Sequence, residues 1–342
     1  MILLAPPPAR RPTPGSVPTF SVIMAAFQAA ETVAEAVDSA LRQTLPPHEV
    51  IVCDDGSNDD VVGALRGVGD RIRLLRQDHR GPAAARRIAS EAASGDFVVI
   101  LDADDAFHPR RLEALGEAAT ARPDLDLLTT DALYEVDGVV VHRCYGTPSA
   151  FVTKAQRQAI LRENFIFGAA AIRRARLMEV GGFDASFDRI EDWECWIRLL
   201  LSGSAAGLVY EPLYHYRIHR ASLSFDRAAD ARQCVRMLER VRSSPHLRPE
   251  ERPTLERSIA KARSRALVAE AEDALLHARP GKRRRLASLM AGRDVSLGMR
   301  AKATAALVTP QFAARRLERR GHPDNWMFER ALSAKDPPQT DS

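Results

Sequence analysis

The sequence predicts an α/β fold: a mostly parallel sheet flanked by helices, followed by a C-terminal helical region. Three observations carry this expectation. Short apolar runs alternate with helix-period segments from Phe20 to about Thr130, the pattern of strand–helix–strand units. Three of those runs end in small-residue or acidic turns, which a parallel sheet gathers on one rim. Beyond residue 226 the chain becomes rich in Ala, Arg, Leu and Glu, with breaks at Pro245, Pro249, Pro280-Gly281 and Pro310. That composition reads as several helices.

In order, residues 1–18 are rich in Pro and Arg and lack periodicity, so they are expected to be a disordered tail. Phe20–Met24 is the first strand, running into the turn Ala25-Ala26. Residues 31–44 are a helix, because Val33, Ala36, Val37, Ala40 and Leu41 fall at i, i+3, i+4, i+7 and i+8. Glu49–Cys53 is the second strand and enters Asp54-Asp55-Gly56-Ser57. Ser57 or Asn58 can cap a short helix over 59–66. Arg71–Leu75 is the third strand, and Pro82, in its favoured first-turn position, opens a helix to about Ser94.

Phe97–Leu101 is a buried strand that drives into Asp102-Ala103-Asp104-Asp105. If the chain stays extended, Asp102 and Asp104 point to the same side. Two carboxylates facing one space suit a hard cation such as Mg²⁺ shared with a substrate's phosphates; a solvated acidic loop is the plain alternative. A helix from Pro109 to about Ala121 follows, then a strand Asp126–Thr130 and a hairpin Tyr134–Cys144 turning at Asp137-Gly138. From 151 to 225 the expected elements are a strand Phe165–Ile172, a helix Arg173–Val180, a Gly181-Gly182 turn, and a helix Asp192–Leu201. Two short strands, Leu208–Tyr210 and Tyr214–Ile218, complete it. Trp193 and Trp196 fall at helical spacing, which favours core packing over stacking on a sugar.

Composition narrows the function classes. The chain has 342 residues, 45% hydrophobic and 27% charged, enough for about two domains with a sizeable core. No apolar run approaches the roughly 20 residues of a membrane-spanning helix, and no signal-peptide pattern opens the chain. A cytoplasmic setting is the expectation, with Cys53, Cys144, Cys195 and Cys234 as core or incidental thiols. Residues 1–225 hold 24 Lys+Arg against 30 Asp+Glu, and residues 226–342 hold 25 against 15. The basic second part suits either a solvated helical surface or an anionic face. Arg284-Arg285 and Arg315-Arg316-Arg319-Arg320, with Leu307, Phe312 and Leu317 beside the latter, offer a peripheral contact at the inner face of a membrane. Nucleic acid is not an expected partner. Neither G-x-G-x-x-G nor G-x-x-x-x-G-K-[ST] occurs, which argues against a dinucleotide enzyme and a P-loop ATPase.

Seven segments, in this order, resemble the family 2 glycosyltransferases of the GT-A fold. They are Ser21–Gln28, Ser39–Thr44, Val50–Ser57, Gly81–Arg87, Leu101–Asp105, Gly181–Asp184 and Glu191–Glu194. The resemblance covers residues 19–225 and leaves 226–336 as a basic helical region and 337–342 as a tail. It implies an inverting transfer of a sugar from a nucleotide-diphosphate donor, a UDP-sugar, to an acceptor hydroxyl on a glycan or lipid-linked molecule, as in surface polysaccharide or glycolipid assembly. It implies that Ala25, Phe27, Asp55, Arg86 and Asp102 bind the nucleotide, with Asp55 at the uracil edge and Phe27 stacking. Asp104 would be the direct ligand of Mg²⁺ or Mn²⁺, with His219 near the metal and diphosphate. Asp192 would be the catalytic base, supported by Glu191.

Two departures stand out. The family usually has Pro-x-Tyr-Asn where this chain has Ala25-Ala26-Phe27-Gln28, and Ala-Arg-Asn where it has Ala85-Arg86-Arg87. Phe27 keeps a ring and loses a hydroxyl; Arg87 adds charge near an anionic donor. A non-catalytic nucleotide-sugar-binding protein is the alternative. A nucleotidyltransferase ranks last, since Ala25 to Ala30 has neither Gly nor a basic residue.

Overall fold

The computed structural model describes residues 17–218, 227–276, 282–291 and 297–309. The chain divides into two compact units, residues 1–218 and 219–342.

In the first unit, nine strands among the described residues form one sheet, in the order β3-β2-β1-β4-β8-β6-β9-β5 with β7 beside β6. β1 (Phe20–Ala26), β2 (Glu49–Asp54), β3 (Arg73–Arg76) and β4 (Phe97–Ile100) run parallel. Val22 is in register with Val50 on one side and Val99 on the other. β1, β2 and β4 are continuous apolar runs because both faces are covered by helices. The connections are α1 (Val33–Leu41), α2 (Val61–Ala64) and α3 (Pro82–Ala92). Chain order reverses at β1, which lies between β2 and β4. Such a switch point opens a crevice beyond the strands' C-terminal ends, and the Ala25, Asp54 and Asp102 segments all leave on that rim.

Beyond β4 the sheet is mixed. β8 (Ala171–Arg173) is antiparallel to both β4 and β6 (Leu127–Val136), and β9 (Ala206–Arg217) is parallel to β6. β7 (Val139–Arg143) closes the expected hairpin through Asp137 (φ 49°) and Gly138 (φ 77°). Three local expectations are corrected. The two short strands after Leu208 are one strand, β9, whose register shifts near Pro212, a residue with no N–H to give the ladder. Residues 165–170 are irregular rather than extended. There the Tyr145 hydroxyl donates to the Phe165 carbonyl (2.9 Å) and accepts from the Phe167 N–H (2.8 Å), replacing ladder partners. α2 is capped by Asp60, which accepts from the Gly63 N–H at 2.8 Å, not by Ser57 or Asn58. A two-residue strand, β5 (Ala106–Phe107), pairs with His215 and Tyr214 of β9.

α4 (Arg111–Ala121) begins two residues later than Pro109. Its first turn is held by Gln43, whose Oε1 accepts from the Leu112 N–H (2.9 Å) while Nε2 donates to the Ser39 and His108 carbonyls (both 3.0 Å). α5 (Gln156–Ile160), α6 (Arg174–Glu179) and α7 (Glu191–Leu201) complete the unit. Trp196 is fully buried, and the Trp193 indole N–H donates to the Ile160 carbonyl at 2.8 Å.

The second unit contains α8 (Arg227–Val241), α9 (Arg252–Leu276), α10 (Lys282–Ala291) and α11 (Leu297–Val308). Arg242–Glu256 and Arg263–Glu239 ion pairs join α8 to α9. Ala271, Leu275, Leu286, Leu289, Ala303 and Ala306 form a small core, and Leu307 packs against it instead of facing outward. Phe312, Leu317 and the arginines at 315–320 lie outside the described residues. No helix among the described residues is long and apolar enough to cross a membrane.

Candidate active site

Three segments distant in sequence meet at one guanidinium. Arg86, on α3, pairs through Nη2 with Asp102 Oδ1 at 2.5 Å and through Nη1 with Glu191 Oε1. Asp102 lies just past β4 and Glu191 opens α7. Arg86 is 12% exposed in its side chain, and burial by itself would loosen its proton. The facing carboxylates of Asp102, Glu191 and Asp192 outweigh that, so its pKa lies above the ordinary arginine value. Burial pushes Glu191 up to about 7, against the pull of Arg86 and with the push of Asp192.

Asp192 stands in a fitted cradle. Its Oδ1 accepts from the Trp193 N–H at 2.6 Å, and its Oδ2 accepts from Asn164 Nδ2 at 3.0 Å. Gly168 leaves room for the carboxylate, since a Cβ there would lie 2.9 Å from Oδ2. Burial raises the Asp192 pKa, while the Trp193 amide, Arg86 and Asn164 pull it back. A carboxylate with raised pKa at the opening of α7 is a better proton acceptor than a solvated aspartate.

The acidic segment is a turn, not the extended run expected, because the Asp105 N–H donates to the Asp102 carbonyl at 3.1 Å. Asp102 and Asp104 remain half-buried at its edge, and Asp105 turns inward. Asp105 accepts from the Tyr214 hydroxyl (2.7 Å) and the Arg217 N–H (2.8 Å). Burial, with the charges of Asp102 and Asp104, raises its pKa well above the usual carboxylate range. The Tyr214 hydroxyl also accepts from the Asp102 N–H at 3.3 Å.

At the start of α3, Asp55 is buried and held by its own chain. It accepts from the Arg80 and Gly81 N–H groups (2.9 and 2.8 Å) and from Gln77 Nε2 (2.5 Å). Direct contact with a base therefore requires Gln77 to swing aside. His79 Nδ1 lies 2.9 Å from Asp55 Oδ2, and its ring stacks on Phe27 at 4.0 Å. Phe27 is 42% exposed, an open aromatic face on the rim. Ala25 is half-buried in register with Cys53. Asp54 is structural: it accepts from the Ser57 N–H at 2.9 Å and faces Arg76.

Arg86, Asp102, Glu191 and, through its neighbour, Asp192 are thus brought together, with Asp104 on the same turn. Phe27 and Asp55 sit at the start of α3. His219 lies outside the described residues. Sequence reasoning missed Tyr214, Asn164, Gly168 and Arg198. Arg198 donates to the Val180 and Gly182 carbonyls (2.6 and 2.7 Å) and holds the Gly181-Gly182 turn, where φ is 89° and 71°. Arg198 sits four residues after Glu194 in α7, a spacing visible in the sequence; the others carried no local signal.

The Glycosyl transferase family 2 profile matches residues 21–181, the stretch that contains the switch point, Arg86 and the acidic turn. Over this stretch the chain is similar to family 2 glycosyltransferases. Among curated relatives, it is 30% identical over 227 residues to the succinoglycan biosynthesis protein ExoU of Rhizobium meliloti, covering 59% of this chain and 63% of that protein. It is 25% identical over 217 residues to the putative glycosyltransferase EpsH of Bacillus subtilis, covering 60% and 62%. It is 29% identical over 187 residues to the hyaluronan synthase of Pasteurella multocida, covering 54% and 19%. The matches thus span less than two thirds of these relatives.

In fold, the chain has the GT-A architecture of solved glycosyltransferases. S. aureus TarS 1–349 in complex with UDP-GlcNAc matches at TM-score 0.58 and 17% identity, covering 91% of this chain and 92% of that one. The mannosyltransferase PcManGT from Pyrobaculum calidifontis, in complex with GDP-Man and Mn²⁺, matches at 0.56 and 21%, covering 94% and 88%.

Proposed function

We propose that this chain is an inverting, metal-dependent glycosyltransferase that moves a sugar from a UDP-sugar to an acceptor hydroxyl on a glycan or lipid-linked molecule. The observation that carries this reading is the Arg86 bridge, which joins the acidic turn to the base segment at one locus. Asp192 accepts the acceptor's hydroxyl proton as that oxygen bonds to the anomeric carbon. The bond from that carbon to the diphosphate oxygen breaks, and its electron pair leaves with the diphosphate. Glu191 and Arg86 hold the base segment against the donor side, and Phe27 offers a stacking face to the base. The chemistry of the donor set suits a cation: Asp102 and Asp104 present hard oxygens from one turn. Among the described residues no three acidic, His or Cys side chains gather as a metal site; the substrate's phosphates would supply the remaining oxygens around a cation held here. Asp104, with Asp102, would hold Mg²⁺ or Mn²⁺, which supplies Lewis-acid neutralisation of diphosphate charge.

Surface-polysaccharide synthesis is the setting that the succinoglycan and hyaluronan relatives support. A calorimetric titration of the protein with UDP and GDP, with and without Mn²⁺, tests the donor half. Binding of UDP that strengthens with Mn²⁺ is expected; preference for GDP, or indifference to the metal, would overturn it. UDP release from a panel of UDP-sugars tests turnover, and binding without release would favour a non-catalytic role.

A further inference from the structure

This inference rests on the transfer reading above and concerns what keeps the two halves of its site in register. Arg111, the first residue of α4, is fully buried. Its guanidinium is held by neutral groups. Nη1 donates to Thr130 Oγ1 and Nη2 to the Ala169 carbonyl, and the cation lies 4.9 Å from the ring centroids of both Phe107 and Tyr214. Its Nε has no hydrogen-bond partner among the described residues. Burying a cation among neutral groups is costly, and a well-packed apolar residue would often stabilise the fold as well or better. The side chain's placement gives a reason to keep it.

On one side, the ring that Arg111 touches belongs to Tyr214. The hydroxyl of Tyr214 donates to Asp105 at 2.7 Å and accepts from the Asp102 N–H at 3.3 Å. A cation on the ring face strengthens the hydroxyl as a donor. On the other side, the Ala169 carbonyl precedes nothing but a short strap to β8, and its neighbour Gly168 backs the Asp192 carboxylate. We propose that Arg111 is a positioning residue for sugar transfer: one buried guanidinium that fixes the Asp102–Asp105 turn through Tyr214 and the Gly168 strap behind Asp192 through the Ala169 carbonyl.

The test compares Arg111→Met and Tyr214→Phe with the wild-type protein by amide hydrogen exchange over residues 101–107 and 164–171, alongside Mn²⁺ titration with UDP and turnover at saturating donor and metal. Arg111→Met is expected to speed exchange in both segments and to lower turnover. Tyr214→Phe is expected to speed exchange in the first segment alone. Both are expected to weaken Mn²⁺ binding by about tenfold, the usual scale for a lost outer partner of a metal ligand. A merely structural arginine would lower the melting temperature and could speed exchange, but would leave Mn²⁺ affinity and turnover at a permissive temperature unchanged. Wild-type exchange and turnover in Arg111→Met, or loosening of residues 101–107 alone, would overturn the inference. Should Arg111→Met not fold, Arg111→Lys carries the test. Its ammonium keeps the place between the rings and cannot span Thr130 and Ala169 together, so only residues 164–171 should loosen; no loosening would overturn the inference. A wild-type protein that bound neither Mn²⁺ nor UDP would instead refute the transfer reading, and the exchange comparison would still judge Arg111.

Discussion

Gly168 and Asp192 touch so closely that no side chain fits between them: a Cβ on Gly168 would lie 2.9 Å from Asp192 Oδ2. The obstructed atom is the far end of a side chain, so Gly168→Ala should fold while the carboxylate swings away and loses its Asn164 hydrogen bond. A displacement near 1 Å in a reacting group can cost about 10²-fold in rate. Steady-state kinetics of Gly168→Ala should show kcat lowered on that scale with donor KM little changed. A kcat near wild type would show that Asp192 need not occupy this cradle.

Asn164 pulls the Asp192 pKa down against the effect of burial, which raises it. Activity that needs ionised Asp192 should therefore rise along an acid limb set above the usual aspartate range. Asn164→Ala removes a donor to the charged form, so that limb should move to higher pH. A pH–rate profile checks this; an unmoved or lowered limb would contradict it.

Arg86 pairs with two carboxylates, one of them buried. Arg86→Met leaves Glu191 without its partner, a defect that costs about 3 kcal/mol when the orphaned charge cannot escape. Glu191 escapes by protonation, since its folded pKa is already about 7 against an ordinary 4.5. The folded state then binds more protons than the unfolded state, so stability falls as pH rises between those values. Urea unfolding should show a larger loss in Arg86→Met at pH 8 than at pH 5.5. An equal loss at both would mean that Glu191 is not the group left unpaired.

Gln43 belongs to a family-like segment and serves the fold. Its three hydrogen bonds tie α1 to the start of α4. Gln43→Ala leaves the Leu112 N–H unsatisfied, for roughly 1–3 kcal/mol. Thermal melting should report that loss, with kcat at a permissive temperature unchanged. A large fall in kcat in stable protein would place Gln43 in the chemistry.

Most of the parallel half of the sheet was legible because β1, β2 and β4 are buried on both faces, which leaves continuous apolar runs such as Val50–Cys53 and Phe97–Leu101. The carboxylates at strand ends were legible for the same reason: an apolar run that stops at an acid marks the rim. The hairpin at Asp137-Gly138 was visible from turn chemistry alone. The second half was harder. Residues 165–170 have strand-like composition, yet their backbone groups are taken by Tyr145, Arg111 and Ile100, partners distant in sequence. β9 looked like two strands because Pro212 interrupts it. The Asp102–Asp105 turn defeated the alternation argument, since one backbone hydrogen bond reverses the chain. Nothing in the sequence around Arg111, beside a helix start, says that it is buried.

The central claim is that Asp192 takes the acceptor's proton. Asp192→Asn keeps the shape, the Trp193 and Asn164 neighbours and the donor pocket, and removes the basic oxygen. UDP release from the best UDP-sugar, measured at saturating donor and Mn²⁺, should fall by about 10²-fold or more, while UDP affinity stays at the wild-type value. Release within a few-fold of wild type would contradict the account.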